Sequence, residues 1–375
     1  MFSFEVVAKA KDSSARAGVL QTPHGRVETP VFMPVGTLAT VKSLTPEDLL
    51  GAGVQILLGN TYHLYLRPGC EVIDLFSGIH GFMNWSRPVL TDSGGFQLFS
   101  LARLSKIIPE GVTFQSHIDG SKHFITPEKA IDIQKHLGSD IAMCLDHCIG
   151  YPAEKRDVGA AMELTSAWAG QCKQAWQTGN QASGALFGII QGGMFTDLRQ
   201  ASIDALVQMD FNGYAVGGLG VGEPREIKME IADFTLSRLP RQAPRYAMGI
   251  GSPEELVQLV ALGADMFDCV LPTRNARNGQ MFSDSGAINI SNSRFKKDTG
   301  PIDPGCGCYV CQNFSRAYLR HLFQAKELLA YRLNTLHNIF YFTGLMKRAR
   351  RAILQNEFEA FRKEFFNRKK DTVPS

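Results

Sequence analysis

The sequence has little net charge, no long uninterrupted apolar run, and no evident internal repeat or low-complexity segment. Its N-terminal stretch, MFSFEVVAKAKDSSAR, brings charged residues in early. We therefore expect neither a secretory signal nor a membrane span, and we expect a cytoplasmic protein. A net charge of +3 is too small to indicate nucleic-acid binding by itself, because phosphate contacts require a local basic patch.

Cysteine is also sparse, with eight in 375 residues, and three of them lie between positions 306 and 311. In a reducing compartment this uneven distribution argues against a disulfide framework. Cys306, Cys308 and Cys311 form a C-x-C-x-x-C cluster on a loop rich in glycine and proline, which is typical of a zinc site; the alternative is three unbound buried cysteines. His337 and His321 are the candidates for the fourth ligand. Four protein ligands would make the zinc structural.

Hydrophobic residues make up 44% of the chain and charged residues 20%, as in a soluble globular protein with a sizeable core. Eight short apolar runs are predicted strands: PVFMPVGT, VQILLGN, PVLTDSGG, DIAMCLDHC, ALFGIIQGG, GYAVGGLGVGE, RYAMGIGS and MFDCVLPT. Predicted helices with Ser, Thr or Pro near their starts lie between several of them: TPEKAIDIQKHLG, FTDLRQASIDALVQM, PREIKMEIADFTLSRL and SPEELVQLVALG. This alternation predicts an α/β fold, an irregular (β/α)8 TIM barrel, with a doubly wound open sheet as the alternative.

The C-terminal ends of the predicted strands favour the barrel, because barrel active sites are built at that face. The polar or glycine residues that end these runs are Asn60, Asp92, Asp146, Gln191, Gly218 and Asp268.

Two stretches interrupt the alternation. VTFQSHIDGSKHFITP contains Asp119-Gly120 between β-type runs and predicts a hairpin inserted after the third strand, and GQMFSDSGAINISN predicts another. After residue 300 the composition changes, and a long helical stretch is predicted from Ser315 to about Gln355. We expect a catalytic barrel over residues 1–300 and, over residues 301–375, a zinc-binding subdomain with C-terminal helices packed on the barrel.

Two carboxylates at strand ends are candidates for chemistry. Asp92 lies in TDSGGFQ, where the glycines let a ligand approach the backbone; the alternative is a tight turn capped by Asp92. Asp268 ends a strand near Arg274 and Arg277, which could offset its charge or bind a phosphate; the alternative is a structural ion pair. Reaction at a glycosidic carbon needs two such carboxylates, one to attack the anomeric carbon and one to move a proton.

A set of polar groups near these carboxylates could bind a flat heterocycle. The side chains and backbone groups that would read its edge are those of Asp146, Gln191, Gly217, Gly218 and Leu219. Phe96 could stack on its face.

The ordered motifs DSGGFQ, Asp146 with Cys148, IIQGGM, AVGGLGVGE, FDCVLPTR and CGCYVCQ with His337 resemble those of the tRNA-guanine transglycosylases over nearly the whole chain. The resemblance implies a barrel with a zinc subdomain, a homodimer, and exchange of guanine at the wobble position of a tRNA with a GUN anticodon. It implies that Asp268 attacks C1′ to form a covalent ester with the tRNA. Asp92 would be the general acid and base of this double displacement, and no redox or nucleotide cofactor is implied.

The same resemblance implies two sets of binding residues. The base would be bound by Ser93, Gly94, Gly95, Phe96, Asp146, Cys148, Gln191, Gly217, Gly218, Leu219 and Met248. The RNA would be contacted by Gly249, Ile250, Gly251, Ser252, Pro253, Glu254, Glu255, Thr273, Arg274, Asn275, Ala276 and Arg277. The basic run MKRARRA at 346–352 would suit the tRNA backbone, or would be the solvated face of a helix.

The incoming base is expected to be preQ1, a small aminomethyl deazaguanine, because Val221 and Cys148 match the bacterial pocket. His147 and Gly220 depart from the bacterial pattern, which has an acidic residue and alanine at these positions, so queuine is the alternative. Two other functions remain open: a non-catalytic tRNA-binding partner subunit, against which the presence of Asp92 and Asp268 argues, and a barrel glycosidase or nucleosidase that uses water.

Overall fold

The computed structural model of the protein describes residues 2–97, 105–178 and 184–370. The strands in the described ranges are β1 (Ser3–Lys9), β2 (Arg16–Thr22), β3 (Gly25–Thr29), β4 (Val31–Gly36), β5 (Leu57–Gly59), β6 (Val89–Thr91), β7 (Lys106–Ile108), β8 (Gly111–Gln115), β9 (Lys122–Ile125), β10 (Ile141–Met143), β11 (Ala185–Ile190), β12 (Gly213–Val216), β13 (Arg245–Ala247), β14 (Met266–Cys269), β15 (Gln280–Ser283) and β16 (Gly286–Asn289).

Eight of these strands form a closed parallel barrel in the order β4, β5, β6, β10, β11, β12, β13 and β14, with β14 pairing back onto β4. They are the eight strands expected from the apolar runs. The TIM-barrel prediction is confirmed, and the open-sheet alternative is wrong.

The helices surround the barrel and fill the connections between its strands. They are α1 (Pro46–Gly51), α2 (Thr61–Leu66), α3 (Cys70–Asp74), α4 (Ile79–Met83), α5 (Pro127–Leu137), α6 (Lys155–Gln177), α7 (Thr196–Gln208), α8 (Arg225–Arg238), α9 (Pro253–Ala261), α10 (Leu271–Arg277), a 3-10 turn (Ser293–Lys297), α11 (Tyr309–Asn313), α12 (Arg316–Gln324), α13 (Leu328–Leu354) and α14 (Phe358–Lys370).

The helix starts follow the capping rules. The Thr126 hydroxyl accepts a hydrogen bond from the Lys129 amide at 3.2 Å, and the Ser252 hydroxyl accepts one from the Glu255 amide at 3.3 Å. Each helix then has proline in its first turn, where no intrahelical N–H is needed. These caps fix α5 and α9 within a residue or two of their predicted bounds.

The barrel interior is a separate hydrophobic core, and its alternation places the strand-end residues. Leu90, Ile189, Ala215, Tyr246 and Met266 all belong to this core. Successive residues of a strand face opposite sides of the sheet. The residue two positions further along each strand therefore faces the barrel interior again, one layer nearer the C-terminal end. Those residues are Asp92, Gln191, Gly217, Met248 and Asp268.

The antiparallel sheet β1–β3 covers the other, N-terminal end of the barrel, and the sequence motifs did not indicate it. Leu20 and Val27 pack in the same buried cluster as Val31 and Met266, which begin barrel strands. This end of the barrel is therefore closed, and access to the interior is from the C-terminal face.

The two interruptions are confirmed as antiparallel insertions. β8 and β9 pair across the predicted hairpin, with β7 added as a third strand, and β15 pairs with β16. The single long helix expected from Ser315 is wrong: α12 ends at Gln324 and α13 begins at Leu328. Lys326 between them has a positive φ of 58°, which ends the first helix.

Helix α13 packs on α10, β15 and the barrel strand β4. The division at residue 300 stays a prediction. None of the helices in the described ranges is long and apolar enough to cross a membrane.

Candidate active site and metal centre

Asp92 is buried at the end of β6, where three donors bind its carboxylate. The Asn60 amide donates to Oδ2 at 2.6 Å, the Gln97 amide donates to Oδ2 at 2.8 Å, and the backbone N–H of Thr61 donates to Oδ1 at 2.8 Å. Burial raises the pKa of Asp92 to about 6, against the opposing effect of these hydrogen bonds, and the charge of Asp268 adds to the rise. Asp92 can therefore both release and accept a proton near neutral pH.

Asp268 lies near the C-terminal end of the barrel strand β14, and two hydrogen-bond donors orient its carboxylate. The Tyr246 hydroxyl and the backbone N–H of Gly249 both donate to Oδ1, at 2.6 and 2.7 Å. Burial raises the pKa of Asp268, while these two hydrogen bonds oppose the rise. Burial and the Asp268 charge raise the pKa of Tyr246 well above its usual value, so the phenol keeps its proton and remains a donor.

A third carboxylate, Asp146, forms a hydrogen-bonded group with residues of two other strand ends. The Ser93 hydroxyl donates to Oδ1 at 2.7 Å, and the Gln191 amide donates to Oδ2 at 2.8 Å. Burial raises the pKa of Asp146, and both hydrogen bonds oppose the rise. The structure thus brings Asp146, Gln191 and Ser93 together as the sequence predicted.

Glycine is required where these loops approach one another. Gly94 has a φ of +80°, and a Cβ at Gly95 would collide with the Asp146 carbonyl oxygen. Gly218 has a φ of +64°, and a Cβ there would lie 2.5 Å from Gln191 Oε1. Side chains at these positions would displace the polar groups of the pocket.

The remaining predicted base-binding residues lie around the same group. Leu219 is buried, and Cys148 is buried with a pKa that burial raises to about 12, so its thiol is neutral. Met248 packs against the barrel interior. Phe96 is 49% exposed, as expected of a ring that is free to stack on a ligand.

The predicted RNA-contacting loops are only partly accessible. Gly249 and Arg274 are exposed, and Ser252, Glu254, Glu255, Asn275 and Arg277 are half-buried. The side chains that are buried, and so support the loops from within, are those of Ile250, Pro253, Thr273 and Ala276, while Gly251 is buried where a Cβ would collide with Cys269.

The basic run 346–352 has exposed and buried members: Lys347, Arg348 and Arg351 are exposed, whereas Arg350 is buried. The Arg350 guanidinium is buried and donates to the carbonyls of Gly18 and Thr29 at 2.7 and 2.5 Å. Arg348 forms an ion pair with Asp284 at 2.7 Å. Arg350 therefore does not lie on a solvated basic face, because its guanidinium is buried and bound within the fold.

Cys306, Cys308, Cys311 and His337 converge on one point and could hold a metal ion. His337 Nδ1 lies 4.0, 3.4 and 3.4 Å from the three sulfurs, close to the edge of about 3.6 Å in a tetrahedron with zinc-like bond lengths. His337 Nε2 is 2.7 Å from the Phe282 carbonyl oxygen, a hydrogen bond that leaves Nδ1 as the ligand atom. His337 is thus the fourth member of the cluster, and His321 is not part of it.

Known proteins support the same interpretation. A family model described as Queuine tRNA-ribosyltransferase matches residues 11–371. A relative of that name from Desulfosudis oleivorans is 62% identical over 376 residues, covering 100% of this chain and 98% of its own. Another from Desulforapulum autotrophicum is 56% identical, covering 98% and 100%, and one from Caldanaerobacter subterraneus is 54% identical, covering 97% of each chain.

The chain belongs to the queuine tRNA-ribosyltransferase family. It is therefore an enzyme, a pentosyltransferase of the tRNA-guanine transglycosylase class, as the motif set indicated.

Sequence reasoning missed several residues on which the site of this family member depends. Asn60 was noted only as a polar strand end, although it binds Asp92. The sequence alone would indicate a core aromatic within a strand for Tyr246 and a solvent-facing residue of a helix for Arg199. Arg199 is in fact fully buried behind the pocket. No local pattern distinguishes these side chains, because their partners come from distant segments.

Proposed function

We propose that the enzyme exchanges guanine at wobble position 34 of GUN-anticodon tRNAs (Asp, Asn, His and Tyr tRNAs) for preQ1. The observation that carries this proposal is the pair of carboxylates, buried Asp92 and half-buried Asp268, at one end of the barrel beside a group of fixed polar side chains. The names of the relatives, which mention queuine and tRNA, support the substrate class.

Asp268 is the nucleophile in this proposal. Its two hydrogen bonds are to Oδ1, and we assign attack at C1′ to Oδ2. The bond between C1′ and the base nitrogen breaks, its electron pair leaves with guanine, and the tRNA is held as an ester of Asp268. The incoming base then displaces Asp268 from C1′, so two inversions retain the configuration.

Asp92 moves the proton in both halves of the reaction. In its acid form it protonates the departing guanine, and in its base form it takes a proton from the incoming base. A pKa of about 6 suits a group that has to alternate between these forms. Asp146, Gln191 and the backbone at Gly218 read the edge of the base, and Phe96 stacks on its face.

Arg274, Gly249 and the half-buried polar residues of their loops contact the tRNA backbone near the flipped-out base. The Cys3His cluster holds zinc, which has four protein ligands and a structural role, so no step of the reaction passes through it.

We also propose that the enzyme is a homodimer in the cytoplasm. Tyr309, Phe314 and Tyr318 form a chain of ring contacts beside the metal centre, and Tyr309 and Leu328 are 57% and 81% exposed. Exposed aromatic and aliphatic groups of this kind favour a protein interface. Sedimentation analysis should give a dimer for the wild type, and a monomer for Tyr309→Asp combined with Leu328→Asp; a monomeric wild type would contradict this.

Base exchange tests the proposed reaction. An unmodified GUN-anticodon tRNA is charged with labelled guanine and chased with preQ1 or queuine, using the wild type and Asp268→Asn. We expect label loss on chase with preQ1 and none in the variant. Loss with queuine alone would show that His147 and Gly220 change base choice, and no incorporation of guanine would favour the non-catalytic tRNA-binding subunit.

A further inference from the structure

Arg199, on α7, is a fully buried arginine directly behind the candidate base pocket. Its Nε donates to the Gly193 carbonyl at 2.9 Å, and its Nη1 donates to the carbonyls of Ile190 and Gly217 at 2.9 and 2.8 Å. These carbonyls belong to the last residue of β11 and to the loops that follow β11 and β12. One guanidinium therefore holds two adjacent strand ends in fixed relation, including the segments that carry Gln191 and Gly218.

The remaining nitrogen of this guanidinium, Nη2, lies beside Gly218. Among the residues that the structure describes, this buried nitrogen has no hydrogen-bond partner. A Cβ built on Gly218 would have Gln191 Oε1 at 2.5 Å and Arg199 Nη2 at 3.4 Å as its nearest neighbours. This N–H group therefore lies next to Gly218, one of the groups proposed to read the edge of the heterocycle.

Arg199 is also a buried cation without a direct ion pair. Within residues 2–97, 105–178 and 184–370, it forms no ion pair with a carboxylate at 4.0 Å or less. Burial lowers its pKa to about 10, so it remains charged at neutral pH, and the more distant Glu223 carboxylate opposes the lowering. A buried charge without a direct partner is costly to a fold, which points to a role in binding or reaction.

We propose that Arg199 is a positioning residue that fixes the base-reading groups and stabilises, through its charge, the anionic form of the departing and incoming base. This inference rests on the proposed function. When the C1′–N bond breaks, the electron pair stays on the base, and its negative charge spreads over the fused ring until Asp92 supplies a proton. A fixed cation in a dry site stabilises such charge because it needs no reorganisation as the charge develops.

Two substitutions separate the charge from the carbonyl contacts. Arg199→Lys keeps the charge but cannot bind all three carbonyls in the same geometry, and Arg199→Gln keeps a donor but removes the charge. Arg350→Gln is the matched control, because Arg350 is a buried arginine that also binds two backbone carbonyls, at the closed end of the barrel. Circular dichroism verifies that each variant is folded, and kcat and KM are measured for exchange of labelled guanine into tRNA.

We expect Arg199→Gln to lower kcat about 100-fold with little change in the KM for tRNA, and Arg199→Lys to stay within about tenfold of the wild type. Arg350→Gln should leave kcat unchanged. Equal kcat losses in the two Arg199 variants would overturn the role of the charge, as would a wild-type rate in Arg199→Gln.

If Arg199→Gln does not fold, the kcat of Arg199→Lys alone tests the inference. A folded lysine variant within about tenfold of the wild type supports the inference, and a greater loss overturns it. Absence of guanine exchange in the wild type would overturn the proposed function and this inference with it. If the wild type exchanges guanine but an Arg199 variant gives one of the contrary results above, the inference alone is overturned.

Discussion

At the scale of single residues, the pKa of Asp92 reflects a competition between burial and hydrogen bonding. Burial favours the neutral acid, and donors from Asn60, Thr61 and Gln97 favour the carboxylate. The resulting pKa of about 6 means that Asp92 exchanges between its acid and carboxylate forms close to neutral pH. Changing a donor should therefore move the pH dependence of the reaction.

Asn60→Ala removes the donor that lies 2.6 Å from Asp92 Oδ2. Because that hydrogen bond lowers the pKa of Asp92, its loss should raise the pKa by about one pH unit. The acidic limb of the pH profile of guanine exchange, where the base form of Asp92 is lost, should move upward by the same amount. The exposed Asn367→Ala is the control and should leave the profile unchanged; an unshifted or downward-shifted limb in Asn60→Ala would count against this role.

Tyr246→Phe tests the orientation of the nucleophile. Loss of the hydrogen bond to Asp268 should lower kcat about 10- to 100-fold, because it removes both an orienting contact and a group that favours the ionised carboxylate. Tyr214→Phe is a matched control, since Tyr214 is a buried tyrosine on β12 whose hydroxyl accepts a hydrogen bond from the Phe211 amide and, among the described residues, has no hydrogen bond to a carboxylate. Equal effects of the two substitutions on kcat would refute a specific role for Tyr246.

The strand-end position was enough to place Asp92, Gln191 and Asp268 at the C-terminal face of the barrel, while their roles stay predictions. Alternation along a barrel strand carries such residues to one face whatever the details of packing. Tyr246 and Arg199 could not be predicted in this way. The role of each depends on which distant group it meets, and that is fixed only when the barrel closes.

At the scale of elements, capping residues and apolar runs in the sequence predicted the helices and strands whose formation depends mainly on neighbouring residues. The capped helices α5 and α9 and the eight barrel strands were indicated directly by the sequence. The capping box at the start of α1, where Thr45 and Asp48 bind each other's backbone amides, was present but not used. The sheet β1–β3 packs on the end of the barrel, and this tertiary contact could not be predicted from the sequence of the three strands.

The metal centre is the element-scale feature that is easiest to test. It joins the loop at 306–311 to α13, and the Phe282 carbonyl beside it joins both to β15. Chelation of zinc, or Cys308→Ser, should lower Tm by about 5–10 °C, because metal binding contributes to folding.

Metal content by elemental analysis and Tm by scanning fluorimetry provide the measurement. Cys70→Ser is the control, since Cys70 lies on α3, outside the cluster, and it should keep one zinc per chain. Loss of zinc without any change in Tm would show that the site does not stabilise the fold.

At the scale of the whole molecule, Asp140 connects three segments at the closed end of the barrel. The His24 ring lies 2.9 Å from Oδ1, the His80 ring lies 3.0 Å from Oδ2, and the Val89 amide donates to Oδ2 at 2.9 Å. The two imidazole rings stack at 3.6 Å. Burial raises the pKa of Asp140, but the hydrogen bonds outweigh this and hold it below the usual value, so Asp140 is ionised at neutral pH.

Asp140→Asn should therefore lower the free energy of unfolding by about 2 kcal/mol or more at pH 7, since it leaves buried donors without acceptors. Urea denaturation measures the change, with the exposed Asp132→Asn as the control. Because the pKa of Asp140 is lowered on folding, its contribution is present above the unfolded pKa of about 3.8 and is lost as pH falls further. Equal stability of the two variants would contradict this role for the closed end.

The covalent ester between Asp268 and the tRNA is the central claim, and mass spectrometry of the denatured enzyme tests it most directly. Enzyme incubated with a GUN-anticodon tRNA is quenched in acid, digested with nuclease and protease, and searched for a ribose-linked peptide. We expect an adduct on the peptide that contains Asp268, absent in Asp268→Asn. An adduct on Asp92, or continued base exchange by Asp268→Asn, would contradict it.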